Sequence, residues 1–103
     1  MGHTASMARI LVTGSAQGVG RNAATALLDA GHEVLVHVRD KERRSAVADL
    51  LERGARCVVA DLGRPDDVHD LAYQVVCLGG ADAIIHNAGS DERDVLLINV
   101  VAP

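Results

Sequence analysis

The sequence predicts an α/β fold in which helices cover both faces of a doubly wound parallel sheet. Short apolar runs of strand length alternate with segments whose apolar residues recur at helical spacing. The connections between them are short, and glycine follows each of the first three helical segments. Because crossovers between parallel strands are right-handed, and a glycine-rich turn follows the first strand, we expect the strand order 3-2-1-4.

The first unit of this pattern is a strand over residues 9–13, a glycine-rich turn, and a helix over residues 19–30. The strand is almost continuously apolar, which is typical of a parallel strand buried on both faces. Apolar residues of the helix fall on one face, and Gly31 supplies its C-terminal stop.

The later elements repeat the alternation. Pro65 suits the first position of the third helix, and Asp66 and Asp67 complement its dipole. The predicted elements are a strand over 33–38, a helix over 41–53, a strand over 55–60, a helix from Pro65 to the Gly79-Gly80 pair, a strand over 81–86 and a last helical piece over 94–101.

Composition bounds the class of protein. The 103 residues are enough for one domain, which we place at 8–103 after a disordered or tag-derived lead-in at 1–7. Tyr73 is the only aromatic residue, so the core must consist of Ala, Val, Leu and Ile, and we expect Tyr73 to pack within it. The net charge of −4 argues against general nucleic-acid or membrane-surface binding, and no apolar run is long enough to span a membrane.

The cysteines and histidines do not predict a metal site. Cys57 and Cys77 lie in apolar runs without metal-ligand spacing, so we interpret them as buried free thiols of a cytoplasmic protein, with a disulfide as the alternative. His37, His69 and His86 come from different elements with no ligand-spaced partner, and we interpret them as ordinary side chains.

The glycine-rich turn is the strongest chemical signal. Gly14 can form a tight turn, Gly18 can let a ligand approach the backbone, and Gly20 can let the helix pack closely on the strand. The unpaired N–H groups of the following helix favour an anion such as phosphate. The spacing differs from a Walker P-loop, since no Gly-Lys-Ser/Thr follows. A turn with no ligand remains an alternative.

Three turns at the carboxyl ends of strands should converge on one crevice. In chain order, Thr13-Gly14-x-x-x-Gly18-x-Gly20, Asp61-Leu62, Asn87-Ala88-Gly89 and Asn99-Val100-Val101-Ala102-Pro103 resemble the short-chain dehydrogenase/reductase family, from about Ala8 to Pro103. The resemblance implies a Rossmann-like domain that binds NAD or NADP. It also implies an enzyme that moves a hydride between the nicotinamide and a carbonyl or alcohol substrate.

The resemblance also implies residue roles. Asp61 would accept from the adenine amino group with Leu62 beside the ring, and Asn87, Ala88 and Gly89 would brace the sheet next to the nicotinamide-side ribose. As alternatives, Asp61 is a turn or helix-capping residue and Asn87 a plain turn residue. The residues that would hold the pyrophosphate and its adjoining ribose are Gly14, Ser15, Gln17, Gly18, Val19 and Gly20.

Cofactor choice depends on the end of the second strand. From Arg39 to Arg44 there are four basic and two acidic residues, a local charge of +2 on an acidic chain. Arginine suits bidentate recognition of a 2′-phosphate, and Arg39 lies where NADP-dependent relatives often carry arginine. We therefore favour NADP over NAD, with a solvated helix start as the alternative.

Catalytic residues of the family are largely absent from these 103 residues. The resemblance implies a serine and a Tyr-x-x-x-Lys pair, but Tyr73 is followed four places on by Cys77, and Ser90 comes too early. Asn99 alone matches a catalytic position, where asparagine helps to hold a proton-relay water. A polar residue at a helix bend is the alternative for Asn99.

Several expectations concern completeness and assembly. Ten positions separate Gly89 from Asn99, about half the family's usual spacing, so we expect a segment to be missing near 90–94 and the domain to be incomplete at its C-terminus. Such a chain should bind a dinucleotide weakly and be inactive alone. Without a fifth strand, the apolar edge at 83–85 should pair with another chain, giving a homo-oligomer. A noncatalytic dinucleotide sensor and an empty α/β interaction module remain rival functions.

Overall fold

A parallel sheet organises the structure. The computed structural model describes residues 7–87 and the backbone of residues 96–99. The described strands are β1 (Arg9–Val12), β2 (Glu33–Val38), β3 (Arg56–Val59), β4 (Ala83–His86) and β5 (Leu96–Asn99). They lie in the order β3-β2-β1-β4-β5 and are parallel except for β5, which confirms the predicted order 3-2-1-4.

The helices follow the predicted pattern with one difference. They are α1 (Gly18–Asp29), α2 (Ala48–Glu52) and α3 (Pro65–Cys77), and a 3-10 helix (Lys41–Val47) precedes α2. The single helix expected over 41–53 is therefore split. Its first six residues are all exposed, so no buried apolar face stabilises an α-helix there, whereas Val47 and Leu50 are buried where α2 packs.

Strand register places apolar residues on both faces of the sheet. Val12 lies beside Val36 on one side and Ile85 on the other. Because successive side chains point to opposite faces, continuously apolar strands fill two cores. One core includes Val12, Val36, Val38, Ala24 and Leu50, and the other includes Leu11, Leu35, Val58, Ala60 and Leu71.

The segment after the fourth strand differs from the prediction. The prediction of a helical piece over 94–101 is wrong in the described part, because Leu96–Asn99 forms β5, antiparallel to β4. A short continuous apolar run has no periodicity that separates strand from helix. The prediction that β4 has an unpaired apolar edge is also wrong, since β5 pairs with β4. The edge argument for self-association therefore no longer applies.

Two side chains of α3 are more exposed than expected. Tyr73 is 68% exposed, so the prediction that it packs in the core is wrong. It lies two residues after the buried Leu71, about 200° around the helix, which turns it to solvent. Cys57 is half-buried, but Cys77 is exposed, which corrects its predicted burial; both thiols are free.

No helix in the described ranges has the length and apolar character needed to cross a bilayer.

Candidate functional site

A cleft of about 660 Å³ opens at the carboxyl ends of the parallel strands. This volume lies within the range of small-molecule sites. One described residue from each of the three predicted turns lines this cleft: Gly14, Asp61 and Asn87. The cleft is lined by Gly14, Ala16, Gln17, Gly18, Val19, His37, Val38, Arg39, Arg43, Ala60, Asp61, Leu62, Gly63 and Asn87.

Each glycine of the turn is favoured at its position for a structural reason, either its φ angle or a close contact. Gly14 and Gly18 have φ angles of 67° and 64°, in the left-handed region that favours glycine. Gly20 is buried, and a Cβ on it would lie 2.1 Å from the carbonyl oxygen of Gly14 and 2.7 Å from Nδ2 of Asn87. Gly20 therefore lies beneath the cleft, where it allows α1 to approach the turn.

The start of α1 is available to an anion. Gln17 precedes the helix with extended backbone (φ −159°), and its side chain makes no capping hydrogen bond. No acidic side chain lies in the first turn, so the chain itself does not neutralise the positive end of the helix dipole. Gln17, Gly18 and Val19 all line the cleft, so a phosphate placed there would meet the helix start.

Ser15 is buried beneath the cleft rather than lining it. Its hydroxyl donates to the carbonyl oxygen of Val12 and accepts from the N–H of His37 at 3.1 Å. Its own N–H donates to the carbonyl oxygen of His37 at 2.9 Å. These bonds tie the turn to β1 and β2. The predicted contact of Ser15 with a pyrophosphate stays a prediction, and in this geometry its side chain serves the turn instead.

His37 lies at the centre of the turn's hydrogen bonds, whereas the sequence pattern predicted an ordinary side chain at this position. The side chain is 3% exposed. The ring accepts from the N–H of Gly14 through Nδ1 at 2.9 Å, and Nε2 lies 2.7 Å from the carbonyl oxygen of Ala60. Burial lowers the pKa of His37, the bond to Ala60 opposes this effect, and the nearby His86 adds to it. The only feature of the sequence that could have indicated this role is the presence of a single histidine within an otherwise apolar strand.

Thr13 links the first and fourth strands at the same level of the sheet. Its Oγ1 accepts from the N–H of Asn87 at 2.7 Å and lies 3.0 Å from Nδ1 of His86. The side chain is 2% exposed. Thr13 therefore holds the backbone of Asn87, just past β4, against the end of β1, a role that the sequence pattern did not predict.

Arg39 and Asp61 form the charged side of the cleft. Nε of Arg39 lies 3.6 Å from Oδ2 of Asp61, and both side chains retain exposure, 66% and 32%. Oδ1 of Asp61 accepts from the N–H of Gly63 at 3.0 Å, which agrees with the alternative prediction of Asp61 as a turn residue. Asp61 is not the capping residue of α3, since Arg64 precedes that helix. A second cavity of about 650 Å³ adjoins this side, lined by Arg39, Lys41, Arg43 and Arg64 together with Asp40, Glu42, Asp61, Asp67 and Val59.

The structure does not bring every predicted residue to the cleft. Asn99 pairs with Ala83 at the first position of β4, whereas the cleft lies past the last position, about 10 Å along the strand. It lies in a strand, not in the helix that its catalytic role assumed. Ala88 and Gly89 lie outside the described residues. Among residues 7–87, no group of three or more His, Cys, Asp or Glu side chains is placed to hold a metal.

Comparison with known proteins identifies the family of the chain. The family model described as short chain dehydrogenase matches residues 8–100. The chain belongs to the short-chain dehydrogenase/reductase family. Membership agrees with the sheet order and with the position of the glycine turn after β1.

Curated relatives in this family are longer than the chain. Over 83 residues it is 41% identical to the short-chain dehydrogenase chry4 of Gibberella zeae, covering 81% of the chain and 32% of the relative. Over 82 residues it is 35% identical to the L-fucose dehydrogenase of Oryctolagus cuniculus, covering 79% and 28%. The chain thus spans about a third of the length of the curated relatives it matches.

Solved structures of the family are similar to the chain in fold. The Pseudomonas aeruginosa RhlG/NADP active-site complex matches with a TM-score of 0.75 and 30% identity, over 84% of the chain and 36% of that structure. L-sorbose reductase from Gluconobacter frateurii, complexed with NADPH and L-sorbose, matches with a TM-score of 0.70 and 29% identity, over 82% and 34%.

Proposed function

We propose that this chain is the dinucleotide-binding part of an NAD(P)-dependent oxidoreductase and that it prefers NADP. The observation that carries the proposal is the glycine turn that leads into α1. Two left-handed glycines shape the turn, and the helix start beside it has no side-chain cap and no acidic residue. A diphosphate there would meet unpaired N–H groups and the positive end of the helix dipole.

The lining of the cleft supports the remaining predicted contacts. Asp61 and Leu62 follow β3, which suits an adenine ring and its amino group, and Asn87 follows β4, where it would brace the sheet next to the nicotinamide-side ribose. Arg39 and Arg43 both line the cleft and the adjoining cavity, which supports a 2′-phosphate there. The NADP complexes of two similar structures support the same preference.

The proposed reaction of the intact protein is hydride transfer between the nicotinamide and a carbonyl or alcohol substrate. The dinucleotide supplies the hydride chemistry when bound. Within these 103 residues no tyrosine is followed four places on by lysine, so the chain's share is to bind and orient the dinucleotide. The resemblance also implied Asn99 as a catalytic residue, and its strand position gives that role no support. Cytoplasmic location and homo-oligomeric assembly stay predictions.

Calorimetric titration of the intact protein with NADPH and NADH tests the proposal. We expect both to bind, NADPH more tightly. Gln17→Glu places a negative charge at the helix start. It should weaken the binding of NADPH by about tenfold, since like charges a few ångströms apart near a surface repel by about 1–4 kcal/mol. Asn22→Asp is the matched control, because Asn22 is exposed on the same helix and does not line the cleft.

The outcomes separate the rival functions. If neither dinucleotide binds, the chain is an empty α/β module and the proposal fails. If both bind and Gln17→Glu has no more effect than Asn22→Asp, the diphosphate does not lie at the start of α1. Binding without any hydride transfer to a panel of carbonyl substrates would favour a noncatalytic sensor.

A further inference from the structure

We propose that His37 is a positioning residue of the dinucleotide site, which holds the glycine turn and the end of β3 in the binding geometry through a neutral ring. The proposal rests on the proposed function, because it assigns His37 a role in the same site. The ring joins two segments distant in sequence: Gly14, in the turn after β1, and Ala60, immediately after β3. Both of these residues line the cleft.

The partners of the ring determine its protonation state. A backbone N–H can only donate and a carbonyl oxygen can only accept. Nδ1 of His37 is therefore unprotonated and accepts from the N–H of Gly14, and Nε2 is protonated and donates to the carbonyl oxygen of Ala60. Both ring nitrogens are used, and the ring is neutral in the Nε2–H tautomer. Protonation of Nδ1 would set two donors against each other and remove the bond to Gly14.

The backbone of His37 is tied to the same turn. Its carbonyl oxygen accepts from the N–H of Ser15 at 2.9 Å, and its N–H donates to Oγ of Ser15 at 3.1 Å. The first two residues of the turn are therefore held by one residue of β2. Gly14 has a φ of 67°, and because glycine adopts positive and negative φ about equally well, these hydrogen bonds help to keep the turn in one shape. That shape decides where the following N–H groups of residues 16–19 lie.

The surroundings of the ring explain why a histidine and not a simpler side chain occupies this position. An imidazole can accept at one end and donate at the other across the gap between β1 and β3, and few neutral side chains do both at this separation. Of the titratable and charged groups around this site, His86 on β4 acts on the charge of the ring, and Arg39, Arg43 and Asp61 line the same cleft as His37.

Binding measurements on three forms of the intact protein test the proposal. His37→Leu removes both ring nitrogens, and His37→Asn keeps an acceptor near the position of Nδ1. Under conditions where each variant is folded by circular dichroism, we expect His37→Leu to raise the NADPH Kd by about tenfold and His37→Asn to restore at least half of that loss in free energy. His32→Asn is the matched control, because Nδ1 of His32 accepts from the N–H of Ala8 at 3.2 Å at the other end of the sheet.

A merely structural His37 would lower stability and leave the Kd of the folded protein unchanged, and that result overturns the proposal. So does a His37→Asn variant that binds no better than His37→Leu. Long-range ¹H–¹⁵N spectra of the wild-type imidazole provide a measurement that needs no variant to fold: the Nε2–H tautomer supports the proposal, and an Nδ1–H or doubly protonated ring near neutral pH overturns it. Wild-type protein that binds no dinucleotide refutes the proposed function itself, a result distinct from unchanged binding in His37→Leu.

Discussion

Gly20 of α1 approaches Gly14 so closely that a Cβ on Gly20 would lie 2.1 Å from the carbonyl oxygen of Gly14. This oxygen belongs to the backbone of the turn and cannot move aside without changing its shape. The contact therefore joins the packing of α1 to the geometry of the candidate site.

Gly20→Ala should destabilise the protein despite the higher helix propensity of alanine. The propensity gain is about 1 kcal/mol. Forcing a methyl group into this contact should cost more, giving a net loss of about 1–3 kcal/mol in the free energy of unfolding and weaker NADPH binding. Urea denaturation measures the first effect. Asn22→Ala on the exposed face of the same helix is the control and should change stability by less than about 1 kcal/mol. A Gly20→Ala protein as stable as the wild type would show that the turn can yield.

Thr13→Val should weaken the attachment of Asn87, just past β4, to the end of β1. Valine matches threonine in shape but leaves the N–H of Asn87 without its acceptor, which should lower the free energy of unfolding by about 1–3 kcal/mol. Thr13→Ser keeps the hydroxyl and should lose less. Thr25→Val is a suitable comparison, since the Thr25 hydroxyl donates to the carbonyl oxygen of Arg21 within α1 and its loss leaves no N–H unpaired. Equal losses for Thr13→Val and Thr25→Val would contradict the assigned role.

Arg39→Ala should weaken NADPH binding by about tenfold and leave NADH almost unchanged, because only NADPH carries the 2′-phosphate that an arginine can hold. Calorimetric Kd values for both dinucleotides measure the difference. Arg53→Ala is a control of the same charge, because Arg53 pairs with Asp29 at 2.7 Å and does not line the cleft. Equal weakening of both dinucleotides by Arg39→Ala would refute the preference for NADP.

Stability should fall as pH drops below about 6.5, because burial holds the pKa of His37 below that ordinary value. In the unfolded chain the ring gains a proton near pH 6.5, whereas in the folded protein it stays neutral until the lower pKa. His37 thus adds no pH dependence above about 6.5, and stability is lost from there down to the folded pKa.

Urea midpoints measured between about pH 5 and pH 7.5 test this expectation. His37→Asn should flatten the dependence, and His69→Asn, at an exposed position of α3, should not. Parallel curves for the wild type and His37→Asn would show that other groups cause the acid sensitivity.

Local patterns sufficed for much of this molecule. Residues 9–13 and 33–38 are nearly continuous apolar runs with polar or glycine boundaries, so strand position and burial followed from hydrophobicity alone. Pro65 marked the start of α3, and the glycine turn marked the edge at which a cleft would form. The run at 96–99 was ambiguous because its conformation depends on the edge of β4, far along the chain.

The sequence by itself determined the fold class, the strand order and the turns that meet at one edge, because these follow from periodicity, loop length and the handedness of crossovers. Only the tertiary structure decided what His37, Thr13 and Ser15 do there. Their hydrogen-bond partners come from other strands, and polar contacts between distant segments leave no periodic trace in a sequence. Burial on α3 was likewise decided by which face met the sheet, which exposed Tyr73 and Cys77.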